Sequence, residues 1–518
     1  MTKQRQRWGS KLGIILAVAG SAVGLGNFLR FPVQAAKNGG GAFMIPYLIA
    51  LFLLGIPLMW VEWTAGRFGG GYEHSSAPGI FQSLWKKNRF IKYFGIAGIF
   101  GPLLIYIYYV YIESWTLAYA FFSITGQLSG ITTNAGFVEL LRSYQGISGD
   151  SFFSGSFLSL VFFLITFGIN IFVLHYGIRG GIEKLCTITM PILFIFGIIL
   201  MIRVITLSAP DPAHPDWNFI NGLGFLWNPD FSVLKSATVW MAATGQIFFT
   251  LSLGMGVILT YASYLKKEDD VVQSGLGAAS TNEFAEVIIA GTIVIPAAFI
   301  FFGPSEIINI ANSGAFNLGF ITMPQIFNKM PWGAILGFLW FSMLFLAAVT
   351  SSVSLAQPAI AFLEDELDLP RNKVVTIFTA VSFLLCLPSI FFLNRGVLDD
   401  LDFWGGNLFI VLGATIEIIL LAWVFGIENA WEEMHLGARM KLPRIYKFII
   451  KYITPSFLLL ILGYWFINDW WRVITMEGVS KENVPFILAM RLVMLALLVL
   501  LAALVWKAWR KRKMEDYH

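Results

Sequence analysis

The sequence predicts an all-α integral membrane protein with about twelve transmembrane helices, and three observations carry that prediction. Of 518 residues, 57% are hydrophobic and 13% charged, about half the charge that covers a water-soluble domain. Mean hydropathy is +0.72. The apolar residues also gather into about twelve runs, each near the ~20 residues that cross a bilayer. The 48 Phe and 18 Trp suit a surface that meets lipid.

The runs follow in order. The first, near 11–36, follows a basic N-terminus (Lys3, Arg5, Arg7) with no small-residue cleavage site, so the helix itself is expected to act as the targeting signal. The next lie near 41–66, 93–124, 155–175 and 182–205, the last two separated by a short link. Polar, Pro-bearing stretches at Ser208–Asp216 and Trp227–Phe231 read as loops before the sixth, near 237–264. The seventh, near 272–302, is interrupted by Asn282, Glu283 and Glu286. The eighth to tenth fall near 333–363, 373–393 and 403–425, and the last two near 446–468 and 484–507. The basic run Lys507–Lys513 then reads as a stop-transfer anchor.

Charge distribution orients the chain. Of the 35 Lys and Arg, 25 fall at the two ends and in every second connection, against eight in the alternating set. Positive-inside placement therefore puts both termini in the cytoplasm, as an even helix count requires. A net charge of +4 is no footprint for nucleic acid. Cys186 and Cys386, both in apolar runs, offer no disulfide framework, and the absence of any Asn-x-Ser/Thr acceptor favours a bacterial inner membrane.

Two runs carry more than a plain span needs. Val23-Gly24-Leu25-Gly26 in the first and Leu253-Gly254-Met255-Gly256 in the sixth repeat one apolar–Gly pattern. Paired glycines mark a place where a helix can unwind, at roughly 1 kcal/mol each against alanine. Close helix packing through Gly20-x-x-x-Gly24 is the alternative reading. The recurrence at helices one and six favours breaks at matching positions of two inverted repeats, helices 1–5 (11–205) and 6–10 (237–425), with helices 11–12 (446–507) appended in a single transporter domain, 1–518. Free amides at Leu25–Gly26 can bind a carboxylate. Free carbonyls near Gly20, Ala22, Val23, Phe249 and Thr250 can hold a cation. A zwitterionic solute accompanied by Na⁺ fits such breaks.

Neighbouring runs supply partners. Ala347, Thr350, Ser351 and Leu355 share a face of helix eight and offer oxygen ligands, or else satisfy their own helix carbonyls. Asn282 and Glu286 sit one turn apart on helix seven, as a cation ligand and a fixed charge or as an interhelical pair. Ile105 and Tyr109 face one way on helix three, and Glu62 on helix two suits unwound backbone amides. Arg30 and Asp402 lie where a water-bridged outer gate would form. Arg5 and Asp365 are placed for an inner one.

The segments AGSAVGLGNFLRFPVQ (Ala19–Gln34), NGGGAFMIP (Asn38–Pro46), YYVYIESW (Tyr108–Trp115), QIFFTLSLG (Gln246–Gly254) and AIAFLEDEL (Ala359–Leu367) closely resemble the neurotransmitter:sodium symporter family, most of all its bacterial leucine-transporter branch. That resemblance implies two sodium sites. Ala22, Asn27, Thr250 and Asn282 would form one with the substrate carboxylate, and Gly20, Val23, Ala347, Thr350 and Ser351 the other. It implies a substrate pocket of Ala22, Leu25, Gly26, Ile105, Tyr109, Phe249, Thr250, Ser252, Met255, Ser351 and Leu355. Phe249 and Tyr109 would roof it, with Arg30 and Asp402 above and Ile112 and Phe316 in the outer vestibule. Arg5 with Ser263, Tyr264 and Asp365 would close the inner side. Glu286, standing where chloride-dependent relatives carry a neutral residue, implies no chloride requirement. Ser21, Ile105, Met255 and Leu355 replace the Asn, Val, Phe and Ile expected in that branch, which points to an aliphatic substrate without ranking candidates.

The expected activity is thus sodium-coupled symport of hydrophobic L-amino acids such as leucine, methionine or alanine, by alternating access. The partners are the amino acid and the bilayer, with a homodimer the oligomer considered. A proton- or sodium-coupled carrier of another solute with the same fold, and an amino-acid sensor without transport, are the alternatives. An enzyme is disfavoured, because the five histidines are scattered and no His-Glu-x-x-His, Gly-x-Ser-x-Gly or Walker pattern occurs.

Overall fold

The computed structural model describes residues 6–148, 152–153 and 155–515, and among these every regular element is helical. Ten helices are long and apolar enough to cross a membrane unbroken. We number them with the two broken spans, in chain order. Broken α1 joins an inner half, Lys11–Ala22, to an outer half, Gly26–Lys37, bent by 46°. Then come α2 (Met44–Gly70), α3 (Ile91–Thr125), α4 (Phe157–His175) and α5 (Ile178–Ile205). Broken α6 joins Ala237–Thr250 to Val257–Ser263. The remainder are α7 (Val271–Ser313), α8 (Gly333–Glu366), α9 (Arg371–Phe391), α10 (Val397–His435), α11 (Ile445–Asn468) and α12 (Val484–Lys511).

Ten of the about twelve expected spans are long, apolar, unbroken helices, the first is a bent pair that passes the same test as one span, and the sixth is two short helices, Ala237–Thr250 and Val257–Ser263, that do not pass it. Asn282, Glu283 and Glu286 do not interrupt α7. Instead, Gly303 (φ +76°) before Pro304 ends its straight run, near the expected limit at residue 302. The connecting helices not expected from the sequence include Met323–Asn328 with the turns before it, Ala77–Leu84, Asn134–Tyr144 and Phe219–Trp227. The last lies between the two expected loops, Ser208–Asp216 and Trp227–Phe231, and overlaps the second only at Trp227.

Burial sorts the spans. The most apolar stretch of α3 is wholly buried, whereas only 28% is in α11 and in α12. The outer surface carries Phe172, Ile195, Leu460, Ile467, Leu492 and Val499, all well exposed, as lipid-facing side chains are. α1, α3, α6 and α8 meet at the centre, where the breaks lie.

The α6 break is held open by close backbone contact. Gly254 (φ +70°) and Gly256 (φ +69°) are left-handed. A Cβ on Gly254 would stand 2.0 Å from the Ile410 carbonyl, and one on Gly256 2.3 Å from that of Gly98. Glycine alone meets both demands, the conformation and the absence of a side chain. Unwound backbone at membrane depth persists only where protein or a cavity receives its polar groups. Here the Glu62 carboxylate on α2 accepts the Gly254 N–H at 2.7 Å.

Candidate binding site between the broken helices

The α1 break begins where Val23 leaves the helix (ψ 99°), freeing carbonyls at its inner side and amides at its outer side. Gly24 N–H is caught by Asn27 Oδ1 at 2.8 Å, and Leu25 N–H donates to the Tyr109 hydroxyl at 3.2 Å. Tyr109 thus stands over the amides expected to receive a carboxylate. Opposite, Ser252 adopts φ +54° and donates its hydroxyl to the Ser21 carbonyl at 3.0 Å, bridging the two breaks.

Between them lies a small cavity of about 30 Å³, lined by Ser21, Ala22, Gly24, Gly26, Asn27, Ile105, Tyr109, Phe249, Thr250, Ser252, Met255, Ser351 and Leu355. Ten of the eleven expected substrate residues line it. The eleventh, Leu25, faces the outer vestibule and meets the site through its amide. Ser21 and Gly24 were not assigned to it from the sequence, although the small residues beside a glycine pair were the available signal. Tyr109 and the α1 amides make part of the lining polar, and Ile105, Met255 and Leu355 make part of it apolar.

Two oxygen clusters adjoin this cavity. In the first, the Asn27 amide nitrogen lies 3.0 Å from the Thr250 hydroxyl and 2.8 Å from Asn282 Oδ1. The carbonyls of Ala22 and Thr250 come within 3.3 and 3.2 Å of the Asn282 side-chain amide. Asn27 and Asn282 are fully buried and Thr250 nearly so. In the second, the Ser351 hydroxyl lies 3.3 Å from Gly20 O, 3.5 Å from Val23 O and 3.1 Å from Ala347 O, and Thr350 Oγ1 is 3.0 Å from Ala347 O. Each expected set therefore converges from separate helices. The carbonyl and hydroxyl oxygens of both clusters are uncharged hard ligands that suit an alkali cation, while Asn27 turns its nitrogen to the first cluster because its oxygen accepts the Gly24 N–H.

Glu286 stands beside the first cluster, accepting from Tyr47 (2.9 Å), Gln246 (3.0 Å) and Thr250. Three donors around one fully buried carboxylate form an anion site occupied by the protein itself. Tyr47 and Gln246 were not identified from the sequence, because only the fold brings α2 and α6 to α7. A second buried group, Glu113, accepts from Asn170 on α4 (3.0 Å), which in turn accepts from Ser352 (2.7 Å) and so ties α3 and α4 to α8.

Phe249 covers the cavity on its outer side, and Arg30 lies over its ring at 4.4 Å. Asp402 accepts the Tyr108 hydroxyl at 2.5 Å. Arg30 and Asp402 face the same vestibule, with Ile112 and Phe316, and among the described residues no direct ion pair joins them. On the inner side, Ser263 ends the second half of α6, followed by Tyr264, whose hydroxyl accepts from Gln357 at 3.3 Å. Asp365 lies near the end of α8, while Arg5 lies outside the described residues. Trp8 donates to the Tyr261 carbonyl at 2.9 Å and stacks edge-on to its ring.

The model of the sodium:neurotransmitter symporter family matches residues 5–140 and 154–510 of this chain. An uncharacterized sodium-dependent transporter of Methanocaldococcus jannaschii is 30% identical over 458 residues, covering 88% of this chain and 89% of its own. The Bacillus subtilis sodium-dependent transporter YhdH, also uncharacterized, is 31% identical over 429 residues, covering 81% of this chain and 86% of its own. Among solved structures, MhsT in complex with L-phenylalanine superposes with a TM-score of 0.75 at 32% identity, covering 89% of this chain and 99% of its own.

Proposed function

This chain belongs to the sodium:neurotransmitter symporter family and is therefore a sodium-dependent carrier, not an enzyme; from that premise we propose that it moves hydrophobic L-amino acids such as leucine, methionine or alanine together with two Na⁺. The observation that carries the proposal is the layout of the single cavity between the breaks. Its amide and hydroxyl at Leu25 and Tyr109 suit a carboxylate, the adjoining Asn27, Thr250 and Asn282 side chains suit a cation against that carboxylate, and Ile105, Met255 and Leu355 suit an apolar side chain. A shared carboxylate makes each ligand tighten the other's binding, by linkage.

In this reading Ala22, Asn27, Thr250 and Asn282 take one Na⁺, and Gly20, Val23, Ala347, Thr350 and Ser351 take the other. Phe249 and Tyr109 close over the substrate, with Arg30 and Asp402 as the outer gate. Arg5, Ser263, Tyr264 and Asp365 form the inner gate, and access alternates between the two. Glu286 supplies the anion that chloride would otherwise bring. Both termini face the cytoplasm of a bacterial inner membrane, the two five-helix repeats form one domain, and the protein pairs as a homodimer.

The test is binding of radiolabelled leucine to purified protein in Na⁺ and in K⁺, followed by competition with the twenty amino acids. Sodium-dependent binding displaced by aliphatic amino acids supports the proposal, and equal binding in both cations refutes it. L-Phenylalanine belongs in the panel for a specific reason: MhsT is seen with it, and Met255 is an unbranched side chain able to repack around a ring. Displacement by aromatic amino acids in preference to aliphatic ones would establish that second reading.

A further inference from the structure

We propose that Glu183 is a positioning residue that clamps the inner half of α1 onto α5, and that release of this clamp opens the second cation site toward the inner side. The inference rests on the reading of Gly20, Val23, Ala347, Thr350 and Ser351 as sodium ligands.

Glu183 closes the first turn of α5 and is 7% exposed. Its carboxylate accepts three hydrogen bonds from the residues leading into α1: Gly9 N–H at 2.7 Å, Ser10 N–H at 3.0 Å and Ser10 Oγ–H at 3.0 Å. Ser10 Oγ in turn accepts the Gly13 N–H at 2.9 Å, capping the helix. An anion at a helix N-terminus is favoured by the helix dipole as well as by the donors. The fit excludes a side chain at Gly13, where a Cβ would stand 2.0 Å from Glu183 Oε1. A second tie lies one turn away, where Gln6 Oε1 accepts the Ile178 N–H at 2.8 Å.

The same stretch of α5 also backs the other end of this half-helix. A Cβ on Gly20 would meet Cys186 Sγ at 3.1 Å and Met190 Sδ at 3.5 Å. Residues 183–190 therefore hold both the start of the α1 inner half and the glycine whose carbonyl reaches Ser351. A 12-residue helix is a rod of about 18 Å, so freeing its N-terminus lets it tilt off α5 and carries the Gly20 and Val23 carbonyls away from α8.

Cys186 provides the measurement, because it is fully buried against Gly20. In full-length protein carrying Cys386→Ser it is the only thiol, and its alkylation by N-ethylmaleimide in Na⁺, followed by mass, reports separation of α1 from α5. Glu183→Ala and Gly13→Ala should each raise the rate about tenfold or more. Ser10→Ala removes one hydrogen bond to a charged group together with the cap on the Gly13 N–H and leaves α5 intact, so it too should raise the rate about tenfold or more. Rates for the Gly13 and Ser10 variants within twofold of the parent would overturn the clamp, even if the Glu183 variant failed to fold. Repeating the parent measurement in K⁺ separates the two readings. A clamp effect present in both cations, with no slowing by Na⁺, upholds Glu183 and sinks the sodium assignment. Slowing by Na⁺ with no difference among variants does the reverse.

Discussion

Replacing Tyr109 by Phe removes one oxygen from the junction of α3 with the α1 break, and its effect can be worked from the contacts. The hydroxyl accepts the Leu25 N–H at 3.2 Å, which leaves its own proton for a substrate carboxylate. A hydrogen bond to a charged group contributes about 1.5–3 kcal/mol, and that is lost. The Leu25 N–H, no longer engaged by the hydroxyl, can turn to the carboxylate and return about 0.5–1.5 kcal/mol. The net loss of about 1–2 kcal/mol corresponds to a roughly 5- to 30-fold weaker Kd. Because the carboxylate also faces the Asn27–Thr250–Asn282 oxygens, the Na⁺ concentration for half-maximal leucine binding should rise in parallel. Titration of radiolabelled leucine at fixed Na⁺, then of Na⁺ at fixed leucine, reads both quantities on one preparation. Leucine affinity within twofold of the parent, with the protein folded, would refute the placement of a carboxylate at Tyr109.

Two other substitutions test different parts of the site. Glu286→Ser removes the carboxylate but leaves Tyr47, Gln246 and Thr250 as donors around the gap. Leucine binding should then be weak in sodium gluconate and recover in sodium chloride, whereas the parent binds equally in both; chloride-insensitive binding by the variant would contradict the role given to Glu286. Gly256→Ala places a side chain at φ +69° with its Cβ 2.3 Å from the Gly98 carbonyl. Left-handed strain of about 1–2 kcal/mol and overpacking of about 1–3 kcal/mol together should lower the thermal unfolding midpoint by several degrees, and an unchanged midpoint would mean that the break relaxes freely.

Much of this protein is written locally. A run of apolar residues long enough to cross a bilayer specifies a span wherever it occurs, because lipid leaves the backbone no partner but itself. Eleven of the spans, the bent first one included, were therefore legible, and so were the breaks, since glycine pairs weaken a helix through residues adjacent in sequence. Ligand chemistry was legible by type: Asn27, Thr250 and Asn282 are polar side chains that a plain span does not need.

Only the tertiary structure decided what those groups do to one another. Asn27 meets Thr250 across 223 residues and Asn282 across 255, and Glu183 reaches Gly9 across 174. No periodicity along the chain encodes such contacts. What a buried carboxylate such as Glu286 or Glu183 can do depends on which donors neighbouring helices bring to it. Sequence determined which segments cross the membrane and where they can open. The fold determined which oxygens share a cavity, because hydrogen bonding and packing act over a few ångströms of space, whatever the distance along the chain.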